Sequence, residues 1–111
     1  MAEPTLQQVF GAGAAQTATT LTITKADFSA VGLTASANNT AESLFVAILL
    51  LARQQLTDAN QVNNPEQSIT ITDGFPAQSL VTRNNQQYRQ NAFAVNLQKP
   101  DSGSTLDPDD Y

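Results

Sequence analysis

Cysteine and histidine are both absent from the 111 residues. The first absence excludes disulfides and thiolate metal sites. The second removes the commonest general base and the commonest metal ligand. Without either, the many serines and threonines have no ordinary triad to join. Charge is scarce as well, at 14% of residues against a usual share of about 25%. The basic residues are Lys25, Arg53, Arg83, Arg89 and Lys99, scattered along a chain of net charge −5 and pI ≈ 4.2. A nucleic-acid surface needs clustered Lys and Arg, so that role is disfavoured. No apolar run approaches the ~20 residues of a membrane span. Met1-Ala2-Glu3-Pro4 lacks the basic start and apolar core of a signal peptide, so the expectation is a chain made and assembled in the cytoplasm. Its polarity comes from Thr, Gln, Asn and Ser, a surface compatible with packing against other subunits, where charges are costly to desolvate.

What is present is one apolar run. From Leu44 to Ala52 nine successive residues are apolar. Residues 41–56 are rich in helix formers, with Glu42 in the first turn and Arg53 in the last, as the macrodipole favours. Asn39 followed by Glu42 resembles a capping box. The helix should fade near Leu56 to Asp58, giving about 17 residues and roughly 25 Å. A helix on one sheet needs an apolar stripe only ~100° wide, and one apolar all round is buried all round. In a chain this short, one face can lie on a sheet, and the other needs a second copy or another protein. The alternative is an outer face softened by Ala47 and Ala52 and half covered by loops.

Around this helix, residues 1–20 read as a flexible N-terminal arm rich in Ala, Gly, Gln and Thr, in which Leu6, Val9 and Phe10 can anchor. Gly11-x-Gly13 has no preceding strand and no third glycine, so it is no phosphate loop. Residues 21–98 read as the folded domain and 99–111 as an acidic, irregular tail. Leu21 to Thr24 alternates as a strand. Thr24 and Asp27 suggest a capped helical turn ending at Gly32. Asp58 to Gln67 is a polar loop, and Ser68 to Thr72 alternates as a strand. Asp73 to Pro76 is a turn or wide loop. Leu80 to Arg83, a turn at Asn84-Asn85 and a strand from Gln87 to Gln98 make a hairpin, with Tyr88 packing over Val81. The expected fold is α+β: one long central helix on an antiparallel sheet of three to four strands, with Leu21 to Thr24 at an edge.

Candidate chemistry is thin. Asp107, Asp109 and Asp110 form the one carboxylate cluster, without the alternating ligands and closing glutamate of a calcium loop. Asn38-Asn39-Thr40 matches a glycosylation acceptor, but a helix start explains it. Lys25 and Asp27 are the one conceivable base and acid, and a charged surface turn accounts for them. Arg83 and Arg89 flank the hairpin turn and are expected to face each other across it, a cation pair that can bind an acidic partner, such as Asp109 and Asp110 of another subunit; the plainer alternative is two independent surface arginines. Interface candidates are therefore Phe45, Ile48 and Leu49 on the helix, Arg83 and Arg89 on the hairpin, and Asp109 and Asp110 in the tail. No catalytic, metal or cofactor residue stands out, and neither nucleic acid, membrane nor a small-molecule substrate is expected as partner.

Three stretches carry a resemblance: residues 20–28 with 31–34, residues 39–50, and the closing stretch from Asp101-Ser102-Gly103-Ser104 to Asp107-Pro108-Asp109-Asp110-Tyr111. They look like a group of small proteins encoded by cyanobacteria and their tailed phages. The resemblance implies a non-enzymatic virion component: a capsid cement or decoration protein, or a tail, baseplate or fibre subunit. Its partners would be other copies of itself and other virion proteins. The rival expectation is a small binding module outside the virion that regulates a host protein.

Overall fold

The computed structural model describes residues 3–101, 103 and 105–111. The fold is α+β. A short helix, α1 (Leu6–Phe10), starts at Thr5, whose hydroxyl accepts the Gln8 N–H while the Gln8 side chain accepts the Thr5 N–H. Strands β1 (Ala15–Gln16) and β2 (Leu21–Thr22) pair antiparallel, Ala15 opposite Thr22 and Gln16 opposite Leu21. The turn between them is closed by the Thr17 N–H on the Thr20 carbonyl, 2.9 Å, and by the two threonine hydroxyls, 2.7 Å apart. A 3-10 helix follows (Lys25–Val31), ending at Gly32 in the left-handed region, φ 93°. Then come α2 (Ala41–Gln55), α3 (Asp58–Asn63), β3 (Ile69–Arg83), β4 (Gln86–Leu97) and a last 3-10 turn, Pro108–Asp110.

Several expectations are corrected. The sheet of three to four strands does not form: among the described residues there are two separate sheets of two strands each. Leu21–Thr22 pairs with Ala15–Gln16 rather than joining the hairpin's edge. Asp73 to Pro76 does not turn the chain. It lies inside one fifteen-residue strand, as an irregularity between Asp73 and Gln78 where β3 bulges past β4. The residues read as two strands are thus one, and the hairpin is a two-stranded ribbon with Ile69 opposite Leu97 at its root and Arg83 opposite Gln86 at its tip. Nor is α2 the expected long central helix lying on a sheet: its fifteen residues meet only part of β3 and pack more extensively on α1 and the 3-10 helix. It is capped by Thr40, whose hydroxyl accepts the Ser43 N–H at 3.1 Å. Asn39, the expected cap, instead braces the preceding loop, accepting the Ser36 N–H and donating to the Thr34 carbonyl. Thr24 makes no side-chain cap bond. The polar loop at 58–67 contains α3, capped by the Thr57 hydroxyl on the Asn60 N–H.

The core is small. Its buried apolar members are Ala14, Phe28, Ala47, Ala52, Leu56 and Ile71. Leu49, Ala52 and Leu56 fall on one helix stripe and meet Ile71, with Val9, Ile69 and Phe93 packed around them. The Ile71 N–H closes on the Leu56 carbonyl at 2.8 Å, tying strand to helix end. In α2 only the two alanines are buried. They let the helix approach its neighbours closely, and the larger apolar side chains are spread around the remaining circumference.

Two polar residues are as deeply buried as the core, Thr70 and Gln67. Gln67 is 2% exposed, and its amide nitrogen donates to the carbonyls of Thr57 and Ile69, both at 2.9 Å. It joins the α2–α3 connection to the root of β3. Gln67→Ala removes both bonds and leaves the Thr57 and Ile69 carbonyls without this donor, so we expect a loss of about 2–3 kcal/mol and a Tm lower by roughly 10 °C, read by thermal circular dichroism.

Candidate interaction surface

The most distinctive feature of the chain is the outer part of the β3–β4 ribbon. Beyond the bulge its strands pair only with each other, and most of residues 75–91 are exposed. The turn at the tip is tight because Asn84 and Asn85 both adopt positive φ, 50° and 60°, which asparagine tolerates better than most residues. At the bulge Gly74 lies against Ala92 so closely that a Cβ there would come within 2.8 Å of the Ala92 Cβ. The chain then passes through a cis Phe75-Pro76 bond. Phe75 is held in water with no cover at all, 105% exposed.

The ribbon separates the two arginines that flank its turn. Arg83 lies opposite Gln86 and Arg89 opposite Leu80, so by alternation they project from opposite faces. Arg83 stacks over the Tyr88 ring at 4.1 Å, and Tyr88 in turn lies opposite Val81. Arg89 donates to the Gln78 side chain at 3.3 Å, leaning back toward the bulge. Just before the bulge Asp73 is ion-paired with Arg53, whose guanidinium also lies 4.9 Å from the centre of the Phe93 ring.

The helical candidates fall in different environments. Leu49 packs into the core cluster and Ile48 is half-buried. Phe45 continues the stripe of Leu49, Ala52 and Leu56 one turn further, beyond the body's edge, and is 66% exposed beside Val46. Asp109 and Asp110 are exposed in the last 3-10 turn, where the Asp107 carboxylate caps the Asp109 N–H at 3.0 Å. The tail folds back on its own chain: Lys99 sits 5.2 Å from the Tyr111 ring centre.

Lys25 and Asp27 serve separate backbone contacts. The Lys25 ammonium donates to the Ser36 carbonyl at 3.0 Å, and the Asp27 carboxylate accepts the Gly13 N–H at 2.7 Å. A side chain at Gly13 would collide with Thr24 and Asp27. Its glycine is therefore a packing requirement, which clamps residues 11–14 onto the 3-10 helix.

The core is open at one end. A pocket of about 380 Å³ is lined by Leu6, Val9, Phe10, Leu56 and Ile69, with Glu3, Glu66 and Tyr111 around it. Sequence reasoning missed this pocket because it joins residues distant along the chain, and missed Gln67 because no local pattern sets this glutamine apart in a polar stretch rich in Gln and Asn. Comparison with protein families, curated proteins and solved structures returns no match. No helix among the described residues is long and apolar enough to cross a membrane. Among the same residues no three His, Cys, Asp or Glu side chains gather as a metal site.

Proposed function

We propose that the chain is a non-enzymatic structural subunit of a bacteriophage virion: a capsid cement or decoration protein, or a tail, baseplate or fibre component. It would be made in the host cytoplasm and work through contacts with copies of itself and with other virion proteins. One observation carries the assembly reading. The chain exposes 8017 Å² of surface, whereas a compact monomer of its mass would expose about 5,900 Å². The excess, about 2,100 Å², is in the range that lasting subunit interfaces bury. The radius of gyration agrees, at 16.3 Å against about 13 Å for a compact domain of this length. Phe45, Phe75, Val46 and Leu80 are among the large apolar residues on that surface. The virion setting rests on the resemblance at residues 20–28 with 31–34, 39–50 and the closing stretch from Asp101.

Mass spectrometry of purified particles tests the reading. The expected result is this chain at a fixed copy number that survives high-salt washing. Its absence from particles, together with a free monomer bound to a host protein, would replace the proposal with the regulatory-module reading.

A further inference from the structure

We propose that the β3–β4 arm docks on a second copy of this chain, seating Phe75 in that copy's open pocket of Leu6, Val9, Phe10, Leu56 and Ile69, with Arg89 beside Glu66. This names the partner surface of the assembly reading and rests on it.

Four observations converge. First, Phe75 is fully exposed, yet it is held on a bulge pressed against Ala92 rather than on a loose loop. An aromatic anchor on a defined backbone is what a buried interface hot spot requires. Second, the pocket is the unclosed end of the core, because Val9, Leu56 and Ile69 belong to both. An apolar side chain entering it would complete that core. Third, the charges match. Residues 74–98 carry Arg83 and Arg89 and no carboxylate, whereas the rest of the chain holds ten acidic side chains against three basic ones. Glu66, beside the pocket, has no ion-pair partner among the described residues, while Glu3 lies 3.7 Å from Lys99. Opposite charges of this kind set orientation and encounter rate. Fourth, the arm cannot serve its own pocket. Ile69 lines the pocket and begins the strand that carries Phe75, and at ~3.3 Å per residue Phe75 stands about 20 Å further on. The occupant is therefore another chain. Arm and pocket are different surfaces, so contact is either mutual exchange about a two-fold axis or a head-to-tail series that closes into a ring or runs on.

The test uses the full chain in solution. Sedimentation velocity should show self-association of the wild type, weakened about 30-fold or more in Phe75→Ser, with unchanged circular dichroism because Phe75 contributes nothing to the monomer core. Arg89→Glu should weaken association about tenfold, and an equimolar mixture with Glu66→Arg should recover it. Because the chain has no cysteine, single replacements give clean cross-links. Phe75→Cys mixed with Leu6→Cys under mild oxidation should form the mixed disulfide in preference to either homodimer. A wild type that self-associates, with Phe75→Ser associating equally well and no mixed disulfide, would overturn the arm-in-pocket contact and leave the assembly reading standing. A wild type that remains monomeric at its highest soluble concentration, absent from particles and without the cross-link, would overturn both.

Discussion

Phe28→Ala should remove about 3–5 kcal/mol of folding stability from the isolated chain, a large share of what a domain of this length holds. Phe28 is 2% exposed and is the largest fully buried side chain among the described residues. It is the buried residue of the 3-10 helix, an element that packs on α2. Truncating a buried phenylalanine typically removes about 3–5 kcal/mol, and a domain of this length holds about 5–15 kcal/mol in all. The effect should fall at the severe end of that range. The remaining buried apolar residues are Leu56, Ile71 and three alanines, so there is little neighbouring apolar volume to collapse into the void. The measurement is urea unfolding followed by far-UV circular dichroism. Phe45→Ala is the control: it lies on α2, on which the 3-10 helix packs, but it is 66% exposed and should change the monomer's stability by no more than about 0.5 kcal/mol. If Phe28→Ala were as mild as Phe45→Ala, the small core would not be what holds the chain together.

The difference between these two phenylalanines shows what local pattern can and cannot reveal. Helix α2 was legible because its formers, its acidic start and its basic end all point the same way, and it ends at Gln55, short of the expected fade between Leu56 and Asp58. The cap slipped by one position because Asn39 and Thr40 are both good caps, and the choice was made by a loop carbonyl at Thr34 that Asn39 also satisfies. Alternation identified the strand at Ser68 to Thr72 and the one from Gln87, and Asn84-Asn85 gave the turn, since these are short-range signals. Asp73-Gly74-Phe75-Pro76 misled because a turn residue records a break in the ladder and not its direction. Whether the chain reverses or bulges depends on what faces it, here Ala92. The same limit applies to Gly13, Thr24 and Asp27: a capping pattern was present, but Gly13 claims the Asp27 carboxylate from another segment. The arginines could have been separated in advance. With Asn84 and Asn85 as a two-residue turn, Arg83 pairs with Gln86, and Arg89 lies an odd number of positions further on, hence on the other face. The pocket offered no such route, because Leu6 and Ile69 meet only in three dimensions.

Replacing residues 74–92 by a two-residue Asn-Gly turn should abolish self-association while leaving the body folded. The cut joins Asp73 to Phe93, which already face each other across the ladder, and Asn-Gly supplies the positive φ values that a tight hairpin needs. What remains includes the contacts of Ile71 with Ala52 and Leu56 and the Arg53–Asp73 ion pair. What is lost is a ribbon whose side chains are mostly in water, so the body's unfolding free energy should shift by no more than about 1 kcal/mol. An isolated two-stranded hairpin is marginal in water, and one carrying a bare aromatic at its bulge contributes little to a monomer. Its persistence is accounted for if another chain covers it. Light scattering after size-exclusion chromatography would read the oligomeric state, and thermal unfolding would read the body. A shortened chain that still assembles would place the subunit contact on the exposed Phe45–Val46 end of α2 instead. One that no longer folds would mean the ribbon supports its own body, and the surface excess would then belong to the fold rather than to a partner.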